Sequence, residues 1–455
     1  MSLLDRSLGE QAAAIAAGEA APGELLDAAL RRIEERNPAV NAIVETFPER
    51  SREMLDAAPD GPLRGVPVAV KDEWPLPWRA QRFGAAKIFT RTQPGESGPF
   101  RALRDAGAVI IGVANMHEWG SRSTGDVSVY GPARNPWNTD HCPGGSSSGP
   151  AAAVAARLVA GSVGADGLGS IRYPAAYCGL TGLKPTFGRS AMQGHHMDGL
   201  TTTIVSGPLC ADAADCRLLG SVLRGEEILQ GDAAGLRIGV VKSAVWDDCA
   251  PEVREACEQA VGALRDETGG EVRSIEIEGL DLAPLAAVLI GTTEGLGGIT
   301  PQMLNDLGEE IGILNRALVK YQMLLPAAAV KRAARVRTMM RRVLAAAFSE
   351  VDVLAWPTVP AVAPPLADTD VDLPSGRIGA DPANVRAGGL ANLTGVPGIN
   401  LPVGLSGGLP IGLQLMAAWD REAVLLDAAE ALERANGRRW VEARPPLAET
   451  TSAPA

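Results

Sequence analysis

Three short apolar runs constrain the fold most: "GVPVAVKD" (65–72), "GAVIIGVAN" (107–115) and "LVAGSVGAD" (158–166). Between them lie stretches with helical spacing, "PFRALRDAG" and "PAAAVAARLV". Runs this short suit strands, and strands alternating with helices read as βαβ units of a largely parallel sheet with helices outside. The pattern returns at "LRIGVVKS" (236–243), followed by "APEVREACEQAVGALRDETGG". Residues 1–58 alternate apolar and charged positions at helical spacing and read as an N-terminal helical wrap, with one helix ending at Asn37-Pro38. Residues 302–349 read as mostly helical, and "VDVLAWPTVP" returns to strand. The Pro-, Ala- and Asp-rich segment 360–385 is expected to be a long surface loop, and 444–455 a frayed tail. No internal repeat and no clean linker divides the chain. The expectation is one α/β domain over 1–455, a central mixed, twisted β-sheet covered by helices on both faces.

Composition narrows the class. Hydrophobic residues are 46% and charged residues 21%, ordinary for a protein with a sizeable core, but aromatics are only 4%, so aliphatic side chains and alanine must fill it. The net charge of −12 argues against nucleic-acid binding, which needs clustered Lys and Arg. No run is long and apolar enough for a membrane span, and acids interrupt the apolar N-terminus where a signal peptide would need none. A cytoplasmic location is the expectation. The six cysteines lack C-x-x-C spacing and read as buried thiols; the four histidines form no H-E-x-x-H. No metal and no cofactor are therefore expected.

Four catalytic templates compete. A P-loop fails, because "GLTGLKPT" has the wrong spacing, and a dinucleotide-binding loop fails where "GLGSIR" reaches Arg172. G-x-S-x-G is met at Gly145–Gly149 with Ser147 central, and His195 or His196 would be its base. A nucleophile elbow needs a strand before it, however, and "RNPWNTDHCPG" is full of turn formers. "QGHHMDG" itself reads as a solvated polar loop. The fourth template is a serine activated by lysine. Lys71 ends an apolar run, where a strand would deliver it to the rim of the sheet, the edge at which such sheets bind ligands. The Gly-rich "GADGLGSIRYP" (164–174) sets Ser170 among residues that let backbone N–H groups approach a developing oxyanion.

Taken in order, Lys71, "PGGSSSGPAAAVAA" and "GADGLGSIRYPAAYCGLTGLKPT" resemble the amidase-signature family. Its hallmark is G-G-S-S-G-G followed by G-G-S-I-R-x-P. The resemblance runs over 64–217, the expected catalytic core, and resumes at "WPTVP" and "ANLTGVPGINLPVGLSGGLPIGLQL". It implies Ser170 as nucleophile, Ser146 as the bridging serine after a cis peptide, Lys71 as base, and an oxyanion hole of backbone N–H groups at Gly167, Leu168, Gly169 and Ser170. Only a free amine accepts a proton. A lysine ionises near 10.4 in water, so a base at neutral pH needs that lowered by ~3 units, through burial with a nearby cation or backbone dipoles. The chain departs from the family at Ala165, Gly167 and Leu168 in the nucleophile stretch, and at Ser148 and Pro150 in the serine-rich one.

The resemblance implies a serine hydrolase of amide, anilide, carbamate and ester bonds, needing a small substrate and water and no nucleic acid or membrane; a homodimer is possible. One branch of the family instead feeds ammonia to a tRNA-dependent amidotransferase. That branch carries an acid shortly before "ANL", where this chain has Val385 and Arg386, with Asp381 further off. A free-standing hydrolase of a fairly apolar substrate is the main expectation, the glutamine-hydrolysing component of the amidotransferase the alternative, and an inactive scaffold the remote one. Substrate-binding candidates are Met116, Trp119, Arg172 and Met192, but Arg172 belongs to the general motif and a structural salt bridge is the favoured reading for it; Met116, Met192, Trp74, Trp78 and Trp119 either line an apolar cleft or pack.

Overall fold

The computed structural model describes residues 2–86, 93–195, 201–296, 299–439, 443, 445 and 446. Its strands are β1 (Ile43–Thr46), β2 (Pro67–Lys71), β3 (Val109–Ala114), β4 (Gly161–Asp166), β5 (Thr181–Lys184), β6 (Val205–Cys210), β7 (Arg237–Val241), β8 (Glu271–Ile275), β9 (Val353–Pro357), β10 (Asp370–Leu373), β11 (Gly376–Gly379), β12 (Gly398–Ser406) and β13 (Leu409–Ala417). Eleven form one sheet in the order β1-β3-β2-β4-β6-β5-β12-β13-β9-β7-β8, flanked by helices; β10 and β11 make a separate hairpin.

The sheet is mixed, as the expected architecture has it, with fewer parallel pairs than the βαβ units imply. Parallel pairing is confined to β2/β3, β2/β4, β7/β8 and β7/β9, and the other six pairings are antiparallel. Buried strands look alike whichever way they run, so apolar runs alone do not set direction. One local signal does: Gly407 and Gly408 both have positive φ (57° and 80°), the two-residue turn that closes the β12–β13 hairpin.

The N-terminal wrap is not purely helical. Helices Leu8–Ala16, Pro22–Val40 and Pro48–Asp56 bracket β1, which extends the sheet edge against β3. The second helix runs past Asn37-Pro38 to Val40, because the Asn37 side chain accepts the Ala42 and Ile43 N–H groups and closes the helix end. Segment 360–385 is not one long loop: Val371 and Leu373 alternate with exposed acids, and "DVDL" folds back on "GRIG" before helix Ala380–Thr394 begins. Of the expected frayed tail, 444 and 447–455 lie outside the described residues.

The core joins both sheet faces. Val68, Val70, Ile110, Val163 and Leu183 are fully buried with aliphatic residues of β9 and β13. Helices Ser148–Ala155 and Arg172–Cys178 are buried throughout, and only small residues let the first sit so close to β2, β3 and β4. No single helix among the described residues is long and apolar enough to cross a membrane. β2 and β4 run parallel side by side, with Val70 opposite Val163, so their carboxyl ends open on the same rim.

Candidate active site

Lys71 is the last residue of β2 and is 1% exposed. Its Nζ donates to Ser146 Oγ at 2.9 Å. Ser146 follows a cis Gly145–Ser146 peptide bond, just before helix Ser148–Ala155. Ser170 sits in the turn between β4 and helix Arg172–Cys178, and its carbonyl accepts the Ser147 N–H at 3.2 Å, which ties the two serine loops together. Lys71, Ser146 and Ser170 face one cavity of about 260 Å³.

The turn bearing Ser170 is organised from beneath by Asp166, the last residue of β4. Asp166 accepts the N–H groups of Gly169 (2.6 Å) and Ile171 (3.2 Å). It also accepts Nε and Nη2 of Arg172, at 3.0 and 3.1 Å. Burial opposes ionisation of Asp166, but Arg172 outweighs it and holds the carboxyl at about 2. Gly169 has φ +124°, and a Cβ there would lie 2.0 Å from the Tyr173 ring, so glycine is required. The Gly169 N–H, one of the expected oxyanion donors, is thus already committed to Asp166. Tyr173 Oη donates to the Leu168 carbonyl at 2.5 Å, fixing that peptide from the other side.

Several expected residues lie elsewhere. Met116 is fully buried and Met192 packs on the core, so neither lines the cavity; Trp74 is fully buried and Trp78 packs against Phe47 and Phe100. Arg172 is likewise sealed from solvent, with every donor directed at Asp166, Asn392, Gln414 or the Gly388 carbonyl, and is not available to substrate. Trp119 does line the cavity, its backbone in the left-handed region at φ 57°. Ser147 is fully buried, its Oγ engaged by Ala165 N–H and carbonyl, so the elbow template has no exposed nucleophile. His196 lies outside the described residues.

Sequence reasoning missed what surrounds Lys71. The chain turns sharply after β2, with Trp74 N–H bonded to the Lys71 carbonyl, and this brings Glu73 back beside it. Glu73 Oε2 is 2.7 Å from Lys71 Nζ, and Oε1 is 2.7 Å from His195 Nε2. His195, expected in a solvated loop, is buried against Trp74 and Phe83. Burial works against ionisation of Glu73, but Lys71 and then His195 outweigh it and hold its carboxyl well below the ordinary glutamate value. The expected burial of Lys71 is present; the charge beside it is an anion rather than a cation. The available signal was the acid two residues beyond Lys71, at a strand end where a turn must follow.

Leu168, Ile204, Val288, Leu318 and Val385 give the cavity an apolar wall, and Arg122 and Asp381 stand in its lining. Asp381 is fixed by the Ser123 N–H at 2.7 Å. Among the described residues no group of three or more His, Cys, Asp or Glu could hold a metal ion, and the six cysteines are buried, free thiols.

Residues 24–426 match the family model Amidase. A Glutamyl-tRNA(Gln) amidotransferase subunit from Methylococcus capsulatus is 33% identical over 485 residues, covering 94% of this chain and 97% of that protein. A crystal structure of an amidase superposes with TM-score 0.87 at 30% identity, covering 94% of this chain and 99% of that one. A 6-aminohexanoate cyclic dimer hydrolase complexed with substrate superposes with TM-score 0.84 at 26% identity, covering 99% and 100%.

Proposed function

The chain belongs to the Amidase family, and from that premise we propose that it hydrolyses amide C–N bonds through an acyl-enzyme on Ser170. The observation that carries this reading is the meeting of Lys71, Ser146 and Ser170 on one cavity, with Lys71 bonded to Ser146. Ser170 Oγ attacks the carbonyl carbon while its proton passes to Ser146 and the Ser146 proton passes to Lys71. The tetrahedral oxyanion takes the N–H groups of Gly167, Leu168 and Ser170, a contribution of ~3–4 kcal/mol for each well-placed donor. Collapse breaks the C–N bond, and the leaving nitrogen takes the proton back from Lys71 through Ser146. Water then attacks the acyl group by the same relay in reverse.

Two substrates compete. The apolar wall around Leu168, Ile204 and Val385 favours a small, fairly apolar amide, with carbamates and esters open to the same chemistry. The relatives weigh toward glutamine, and one feature of the cavity agrees: Asp381 stands one helical turn before Val385 on the same helix and offers a carboxylate to an ammonium group. A turnover screen of aryl and aliphatic amides, carbamates, esters and glutamine, run on the chain alone and with amidotransferase partner subunits, separates them. Turnover of apolar amides by the chain alone supports the first reading. Glutaminase activity dependent on partner subunits supports the second, and no hydrolysis of any of these substrates would refute both.

A further inference from the structure

Glu73 and His195 have no role in the relay just described, yet with Lys71 they form a buried ionisable cluster that touches it. We propose that Glu73, anchored by His195, is a positioning residue that stabilises the Lys71 ammonium formed as Ser170 attacks. This rests on the Ser170 reading and deepens it.

The geometry assigns each part. A carboxylate only accepts, so His195 Nε2, 2.7 Å from Glu73 Oε1, must carry the proton. That contact fixes one carboxylate oxygen, and the Trp74 and Phe83 rings fix the imidazole, at centroid distances of 5.1 and 6.0 Å. The other oxygen is left 2.7 Å from Lys71 Nζ. When the Ser170 proton reaches Lys71 through Ser146, the amine becomes an ammonium at a buried strand end, and Glu73 Oε2 already faces it. A carboxylate that orients and charge-stabilises a catalytic base in this way follows the logic of the serine–histidine–aspartate triad, here with lysine as the base.

The other charges nearby do not compete for that role. Asp72 turns away from Lys71 to Arg79 and to the N–H groups of Arg82 and Gly84. His117, whose N–H bonds the Ser146 carbonyl, has its ring nitrogen 3.4 Å from Asp126. Asp166 is bound to Arg172 beneath the nucleophile turn, with buried Lys184 behind it, and Arg122 and Asp381 stand in the cavity lining.

The stabilised state has a signature. Glu73 Oε2 lies against the nitrogen that becomes charged, so removing its charge should register in the pH profile of kcat/KM as well as in the rate. The test is the pH profile, from 5 to 11, of Glu73→Gln, His195→Phe, His195→Gln and Ser170→Ala on an amide that the wild type hydrolyses. Glu73→Gln keeps the shape and loses the charge; it is expected to lower the plateau by roughly 10²–10⁴-fold and move the acid limb down by more than ~1 pH unit. His195→Phe should move the limb the same way by less, and His195→Gln, which restores an N–H donor, should return it to the wild-type position. An acid limb unmoved in Glu73→Gln overturns the proposal, whatever the loss of rate. If Glu73→Gln does not fold, His195→Phe decides by the same criterion. Turnover retained by Ser170→Ala would instead remove the nucleophile itself, a failure separate from that of Glu73.

Discussion

Replacing Arg172 by methionine should damage the protein through Asp166 rather than through the substrate. Arg172 and Asp166 are both fully buried, and among the described residues the guanidinium is the only cation bonded to that carboxylate. Methionine matches much of the length but leaves Asp166 as a buried, unpaired anion, a loss of about 3–5 kcal/mol. Unfolding entropy of roughly 2.1 cal/mol/K per residue, over 455 residues, amounts to ~1 kcal/mol/K, so the Tm should fall by about 3–5 °C. The pH dependence gives a second check. In the wild type the Asp166 carboxyl is depressed to about 2, so its stabilisation is complete above the unfolded value and is lost only as pH falls toward 2. In the variant the same carboxyl is unpaired and raised, so stability is lost as pH rises. The Tm gap between variant and wild type should therefore be smaller at pH 5 than at pH 8. The double variant Asp166→Asn, Arg172→Met should lose less than the two single losses combined, because the groups act as one unit. Differential scanning calorimetry and kinetics on one preparation decide it. An unchanged Tm with a raised KM for anionic substrates alone would refute this reasoning and return Arg172 to substrate binding.

Lys71→Arg should be nearly inactive in a folded protein, because a guanidinium stays protonated at any accessible pH; turnover within tenfold of wild type would remove lysine as the base. Stability should fall as pH rises from about 5 to 8. Burial, then the neighbouring Asp212, raises Asp215 to about 7 and Glu433 to about 8. Both folded values lie above the unfolded ones, so the native state holds the extra protons and loses that advantage across this window. Glu433→Gln should flatten the slope, which a Tm series would read. Above pH 7 the buried Lys184, lowered to about 7 by burial, adds an opposite slope up to its unfolded value of 10.5.

The readable parts of this molecule were those written in contiguous residues. The apolar runs at 67–71, 109–114 and 161–166 are strands, and the strand–turn–helix carrying Ser170 lies where its glycines put it. Strand direction was not readable, since β4 and β6 pair antiparallel through the same kind of buried residues that pair β2 and β4 in parallel. The burial of particular side chains also escaped the sequence. Met116 and Met192 look like pocket residues in composition, yet packing takes both. For Arg172 the structural salt bridge favoured over an anion site is present, but its partners Asp166, Asn392 and Gln414 come from three separate segments that no local pattern names. His195 and Glu73 meet across 122 positions, a contact that no local pattern encodes.

The central claim is that Ser170 is the nucleophile, and covalent capture tests it most directly. The protein is treated with a fluorophosphonate, and the labelled peptide is located by tandem mass spectrometry, alongside Ser170→Ala and Ser147→Ala. The account predicts one phosphonate per chain on Ser170, unchanged in Ser147→Ala and absent from Ser170→Ala. A label on Ser147, or a label that persists in Ser170→Ala while turnover continues, would contradict it.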